Sequence, residues 1–356
     1  MSGKSIEIDG AYGEGGGQVL RGAVALSCLT GKSVRVFNIR ANRSKPGLQP
    51  QHLASIKAAA EVSGAELHGA SAGSCEVRFV PGRVVGGSHT FDIKTAGSAM
   101  LMVQTLLPIM LAAEADSEVR IMGGTDVPWS PPVDYVRHVV LPGLRSMGVG
   151  EGTAVELVRR GHYPKGGGEV VMRTKPARGL KGIAATERGA VELVRGVSFC
   201  TNLPEHVARR QAQAADRALR VAGYANVRVA AEAAREEEGS PGSGVVLWAE
   251  AGGAMRIGAD SLGAREKWAE AVGAEAAGRL MAELGSGMAV DSHMADMIIL
   301  YMAVAGGASE VGVARLTEHA ETMMWLTKEF LGTEWQALKS PSGGAVIRTV
   351  GAGLLG

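Results

Sequence analysis

Cysteine is scarce in this chain: Cys28, Cys75 and Cys200 are the only 3 among 356 residues, and they lie far apart without a C-x-x-C pair. That excludes a disulfide framework and a zinc ribbon, and makes a reducing compartment the simplest home. Aromatic residues are 4%, too few for an extended groove in which successive bases of a single strand stack. Charge of one sign is lacking as well. Lys and Arg number 37 against 36 Asp and Glu, a net charge of +1, so the chain is no general coat for nucleic acid. Long apolar runs are also missing. The most apolar stretch, from Met100 to Ala113, is interrupted by Gln104 and Pro108 and falls short of the about 20 residues that span a bilayer. It reads as a buried core helix. The N-terminus, MSGKSIEIDG, carries Glu7 and Asp9 where an export signal needs an apolar run, so a cytoplasmic protein with no membrane partner is expected.

What is present points to a folded enzyme-sized chain. Hydrophobic residues make up 46% and charged residues 21%, enough apolar surface to exclude disorder, and the length predicts about two domains. Glycine, with 51 residues, is about twice its average usage and has no period of three, which marks turns and places where backbone meets ligand.

The hydrophobic pattern repeats. SIEIDG reads as a strand, GGGQVLRGAVALSCLTG as a helix ending at Gly31, SVRVFNI as a strand and QPQHLASIKAAAEVSG as a second helix, with short strands near AELHG and CEVRFVPG. The order returns with AGSAMLMVQTLLPIMLAAEA, SEVRIMGG, PPVDYVRHVVLPGLRSMG and the strands of AVELVRRGHYPKGGGEVVMRT. It returns again with GMAVDSHMADMIILYMAVAGG, SEVGVARLT, EHAETMMWLTKEFLG and a closing strand pair, EWQALKSP and GAVIRTVG. The last interval is longer by about a small domain. The spacing therefore predicts a large α/β domain over 1–184 and 282–356, interrupted by a small α/β domain over 185–281. Within the insert, strands are expected at AVELVRGVSFCTNL, NVRVAAEAA and GSGVVLWAEAGG, and helices over PEHVARRQAQAADRALRVAG and from about 262 to 284. AREEEGSPGSG reads as an exposed charged turn. A cleft between two such bodies is a usual substrate site.

Four segments are candidates for chemistry. YGEGGGQVLRG follows a strand and opens a helix, where free amides and the helix dipole can hold phosphate. It meets neither standard phosphate-binding fingerprint, because Gln18 stands where GxGxxG needs glycine and the TGKS at 30–33 lacks an upstream glycine. A tight packing turn is the other reading. Glu14 within it would repel a phosphate unless a divalent cation bridged them; a solvent-facing Glu is its bland alternative. The basic residues Arg21, Arg35, Arg40, Arg43 and Lys45, followed by Gln51 and His52, make either a phosphate clamp or a solvated face. Gln104, in the apolar helix, needs a partner, from the backbone or from a ligand. His293 and Asp296 are three apart on one helical face, as a metal pair short of a third ligand or as a polar patch meeting a nucleotide. His319 falls at a strand-to-helix junction, where a neutral imidazole can act as base or nucleophile. His68, His89, His138, His162 and His206 have no surrounding pattern and read as structural.

Taken together, IDGAYGEGGGQVLR, IRANRSKPGLQPQHL, GGTDVPWSPPVDY, GHYPKGGGEV, SHMADM and the His319 segment resemble, in order and over nearly the whole chain, the RNA 3'-terminal phosphate cyclase family. The resemblance implies an α/β (α+β) fold: three βαβαββ repeats like the C-terminal domain of translation initiation factor 3, as in enolpyruvyl transferases, with the small inserted α/β domain. It implies ATP as a substrate, Mg²⁺ or Mn²⁺, and RNA with a 3'-phosphate end as partner; a homodimer is one option. Histidine attack on the α-phosphorus would leave AMP on His319. Transfer to the RNA would give an RNA(3')pp(5')A end, and the neighbouring 2'-hydroxyl would close a 2',3'-cyclic phosphate. By the same resemblance Glu14 stands near the metal, Arg21 and Arg43 on phosphates, Gln51 and Gln104 near nucleotide or metal, and His293, Met294, Ala295, Asp296 and Met297 along the ATP pocket, with Asp296 also orienting His319. Many relatives have Asn after the Thr three residues beyond the histidine; here Thr322 is followed by Met323. A non-catalytic cyclase-like ribosome-assembly protein is the alternative reading, which His319 opposes.

Overall fold

The computed structural model describes residues 5–237, 239–253, 255–340 and 344–356. Of the sequence features above, the first four residues, Glu238 of the charged turn and Pro341 of the closing strand pair lie outside them.

The first repeat runs β1 (Ile6–Asp9), α1 (Gly17–Thr30), β2 (Val34–Phe37), α2 (Pro50–Ser63), β3 (Glu66–His68) and β4 (Val77–Val80). The second opens with β5 (Gly87–Asp92), α3 (Ala99–Leu111) and β6 (Ser117–Gly123). Its second helix is broken into α4 (Val133–Tyr135), a π-helical stretch (Val136–Val140) and α5 (Leu141–Ser146), before β7 (Ala154–Arg159) and β8 (Gly168–Thr174). The third starts with β9 (Ala184–Ala185). Then come β10 (Leu193–Thr201), α6 (His206–Val221), β11 (Val227–Ala234), β12 (Gly242–Glu250), β13 (Arg256–Leu262) and α7 (Ala269–Gly285), which form a sheet of their own. The third repeat resumes with α8 (Ser292–Val304), β14 (Gly306–Val313), α9 (Glu318–Leu331), β15 (Gln336–Lys339) and β16 (Ala345–Ala352).

The sheets make the repetition explicit. Their strand orders are β1-β2-β4-β3, β5-β6-β8-β7 and β9-β14-β16-β15. In each, the first two strands are parallel and the others antiparallel. The parallel pair needs a helical crossover and the antiparallel strands do not, so each sheet is one βαβαββ unit. Helices α1, α3 and α8 are buried over most of their length, which is why their sequences are apolar on nearly every face.

The separate sheet, β11-β10-β12-β13, has two covered faces. Val194, Val245, Leu247, Ala249 and Ile257 pack on α6 and α7, while Val197, Phe199, Val246 and Trp248 join the core of the three repeats. Strand alternation sends neighbouring side chains to opposite faces, so the near-continuous apolar run of β12 serves both. Three strands escape the sequence reading. β5 and β9 have few buried positions, so no alternation betrays them. β13 fills the stretch left unread before the helix expected from about 262: Arg256 to Leu262 pair antiparallel with β12, and α7 begins only at Ala269. The elements of this separate sheet and its helices run from Leu193 to Gly285, while Ala185 pairs in the third sheet.

Among the described residues no helix is long and apolar enough to cross a membrane. Cys28, Cys75 and Cys200 are free, and burial pushes the Cys28 thiol up to about 12.

Candidate active site

A cleft of about 630 Å³ opens where the N-termini of α1, α8 and α9 meet α3. Its first wall is the turn after β1. Gly13 is left-handed at φ 59°, and a Cβ there would lie 2.4 Å from Thr322 Oγ1 on α9. Only glycine lets the turn close onto that helix. The closure carries Glu14 across the repeat boundary, with Oε2 2.7 Å from His319 Nε2, while Arg43 binds the other carboxylate oxygen. The next residues, Gly16, Gly17 and Gln18, line the cleft. α1 has Gly16 as its N-cap and no side-chain cap, so its first amides are free to meet an anion.

Arg21 stands one turn further along α1. Burial lowers its pKa to about 10, against the opposing pull of Glu14, and it stays cationic at neutral pH. Arg40, left-handed at φ 55°, is braced by the carbonyls of Lys45 and Gly47 at 2.8 and 3.3 Å. His52 is held neutral: burial, then Arg21 and Arg40, push it from 6.5 to about 3. Its Nδ1 accepts the Gln49 N–H at 3.3 Å in the capping box of α2.

Gln104 and Gln51 come from α3 and α2. Gln104 donates to the Met297 thioether at 3.2 Å, a weak acceptor that leaves the amide free for a better one. On α8, Asp291 is buried and caps the helix, accepting from the amides of His293 and Met294 at 3.0 Å. It also accepts from Gly258 N–H at 2.8 Å and Tyr135 Oη at 2.5 Å. Burial and Asp291 raise the Tyr135 pKa, keeping its hydroxyl a donor.

His293, Asp296 and Met297 face the cleft. Met294 and Ala295 do not: both are fully buried in the core. Helical geometry turns adjacent residues about 100° apart, so the run 293–297 does not present every side chain to the cleft. Asp296 reaches the N-terminus of α9. Its carboxylate takes the Thr317 hydroxyl, burial raises its pKa, and it is Glu14 that contacts the His319 ring. Thr317 in turn caps α9 by accepting the Ala320 N–H at 3.0 Å. Gln18 Nε2 donates to the His319 carbonyl at 3.1 Å, fixing the backbone, while the side chain is 43% exposed and open to a substrate.

Glu14, Arg21, Arg43, Gln51, Gln104, His293, Asp296, Met297 and His319 thus line one cleft. Asp260 and Arg279, from β13 and α7, line it too, and no local pattern announced them. Burial pushes Asp260 up to about 6, against the pull of His293 and Arg279. Gln18, Trp129, Ser130 and Pro131 also belong to the lining; they fell within quoted motifs but had no assigned role. Among the described residues no group of three or more His, Cys, Asp or Glu side chains is placed to hold a metal ion.

The three repeats and the arginine-walled cleft define a repeated α/β enzyme, and similarity to known proteins names its kind. The family model described as RNA 3'-terminal phosphate cyclase matches residues 12–337. A protein of that name from Staphylothermus marinus is 47% identical over 98% of this chain and 99% of its own length. Namesakes from Ignicoccus hospitalis and Thermococcus kodakarensis are 50% and 49% identical, over 92% and 93% of this chain and 92% and 94% of theirs. The chain belongs to the RNA 3'-terminal phosphate cyclase family. The enolpyruvyl transferase NikO from Streptomyces tendae aligns with 97% of this chain and 48% of its own at 11% identity and a TM-score of 0.38, a likeness too weak to weigh in the assignment.

Proposed function

We propose that this chain converts an RNA 3'-terminal phosphate to a 2',3'-cyclic phosphate at the expense of ATP, through a covalent adenylate on His319. The observation that carries the reading is the placement of His319 Nε2 at 2.7 Å from Glu14 inside a cleft lined by Arg21, Arg40 and Arg43.

A phosphate monoester has no good leaving group, and adenylation supplies one. In the first step an imidazole nitrogen of His319 forms a bond to the α-phosphorus of ATP and the bond to pyrophosphate breaks. One ring nitrogen keeps its proton while the other offers its lone pair. Glu14 beside the ring orients it and stabilises the positive charge that grows as the N–P bond forms. The guanidiniums and the free amides of α1 offset the negative charge of the phosphates. In the second step an oxygen of the RNA 3'-phosphate attacks the adenylate phosphorus and the N–P bond breaks, restoring the imidazole. In the third the 2'-hydroxyl loses its proton and attacks the 3'-phosphorus, and AMP leaves. The hydroxyl is already on the same ribose, so little orientational entropy remains to be lost.

A divalent cation, Mg²⁺ or Mn²⁺, fits this donor set. One or two carboxylates plus substrate phosphate oxygens are the usual Mg²⁺ ligands. Glu14 is the carboxylate beside His319, and Gln18 Oε1 is a buried oxygen with no hydrogen-bond partner. When bound, the cation would neutralise phosphoryl charge. Gln51, Gln104 and the cleft-facing side of α8 are assigned to the nucleotide. The division into a three-repeat catalytic domain and an inserted domain between β9 and α8 is part of the proposal, as is a cytoplasmic setting, which suits three free thiols.

The test is incubation with Mg²⁺ or Mn²⁺ and α-labelled ATP beside His319→Ala. Acid-labile, alkali-stable label on the unaltered protein alone, discharged by RNA ending in a 3'-phosphate, is the expected result. Label on neither, with ATP binding intact, sinks the mechanism and favours a non-catalytic assembly role.

A further inference from the structure

Trp129 lies on the loop between β6 and α4, lines the cleft and is 97% exposed. Its backbone is left-handed at φ 60°, a conformation that a bulky residue keeps only when its surroundings impose it. Those surroundings are specific. Buried Arg160 grips Asp126 at 3.2 Å on one side of the loop and Asp134 at 2.6 Å on the other. Burial works against its charge, but the two aspartates outweigh that and raise its pKa. The Ser130 hydroxyl is joined to Ser98, the cap of α3. With both ends pinned, the strain at Trp129 turns the indole into solvent at the mouth of the cleft. Among the described residues the indole has no hydrogen-bond or ring partner. Trp268 is also exposed, at 73%, but stands apart from the cleft lining.

We propose that Trp129 is a stacking platform for the terminal base of the RNA, a subsite that rests on the cyclase reading. An exposed aromatic face beside cationic side chains is how single-stranded nucleic acid is held, and every base has a π-face to offer. Arg40 and Arg43 line the same cleft and suit the phosphate of that nucleotide. ATP must bring its α-phosphorus to His319 within the cleft, where Leu101 and Pro131 offer adenine an apolar surface; the exposed mouth is left to the RNA. With aromatic residues at 4% of the chain, one platform and one base are held, not a strand.

The experiment measures binding of a short RNA with a 3'-phosphate and 2-aminopurine as its terminal base, beside the same RNA with an abasic terminal nucleotide. Trp129→Ala should weaken binding of the first roughly tenfold and abolish quenching of its 2-aminopurine, and Trp129→Phe should restore most of the affinity. The abasic RNA should bind Trp129→Ala and the unaltered protein alike, and Trp268→Phe should change neither. Equal loss on both RNAs, no loss on either, or a defect in ATP binding instead overturns the platform. If the unaltered protein fails to cyclise the RNA but the Trp129-dependent, base-dependent binding persists, the platform stands and the cyclase reading falls.

Discussion

The helices α1, α3 and α8 open the three repeats at the same point of the topology, yet their N-termini are finished differently. α3 is capped by Ser98, which accepts the Leu101 N–H at 3.1 Å. α8 is capped by Asp291, which accepts two amides. α1 has Gly16 as its N-cap and no side-chain cap, and its first residues line the cleft. A cap would occupy the amides that an incoming phosphate needs, and it would stabilise the helix by only a few tenths of a kcal/mol over glycine. The departure from the local rule falls at the proposed binding wall, as expected where function competes with stability.

The largest effect should come from removing the cap that does most. Asp291→Ala takes away the α8 cap and leaves Tyr135 Oη and the Gly258 amide buried without partners. A loss of about 3–5 kcal/mol is expected, read as a lower midpoint in urea. Acid should come next, through α2. Its capping box uses neutral His52, whose pKa falls from 6.5 unfolded to about 3 folded. Between those values the unfolded chain binds the extra proton, so the stability is full above pH 6.5 and is lost as pH falls toward 3, on the order of 2 kcal/mol by pH 5. The melting temperature against pH should show this slope, and His52→Gln should flatten it.

Capping α1 should move stability and binding in opposite directions. Gly16→Asp places a carboxylate over the free amides, where the new Cβ would lie 3.3 Å from the flexible tip of Arg43 and 3.9 Å from the Glu14 carboxylate. The helix should gain about 0.5 kcal/mol, while KM for ATP rises about tenfold, near 1.4 kcal/mol. A variant whose KM is unchanged would remove the α1 terminus from the binding wall. Smaller than the expected change in KM is the effect of Ser98→Ala, a loss of about 1 kcal/mol in thermal unfolding that leaves the α1 terminus untouched.

Legibility followed burial and periodicity. The helices that fill the core announced themselves through runs of apolar residues, and Gly31, left-handed at φ 69°, closes α1 where expected. Strands β5 and β9 gave no such signal, because edge strands bury little and their pairing is backbone alone. Among site residues, His319, Glu14 and the arginines stood out because charged or imidazole side chains in Gly-rich or junction segments are unusual. Asp260 and Arg279 looked like ordinary surface charges of another body of the chain.

From the sequence alone came the threefold repetition, the interruption of its last unit and the residues Glu14, Arg21, Arg43, Gln51, Gln104, His293, Asp296, Met297 and His319. The repetition depends on helical and strand periods and turn glycines, whereas the site set, Met297 above all, rests on the resemblance of the ordered motifs to the cyclase family. The tertiary structure alone decided that Glu14 meets His319, that Met294 and Ala295 turn inward, and that Arg160 pins the loop of Trp129. Such contacts join residues tens to hundreds of positions apart or adjacent on a helix, and they are set by sheet pairing and by which face of α8 is buried. No window along the chain contains that information, because it arises only when the three repeats close around one core.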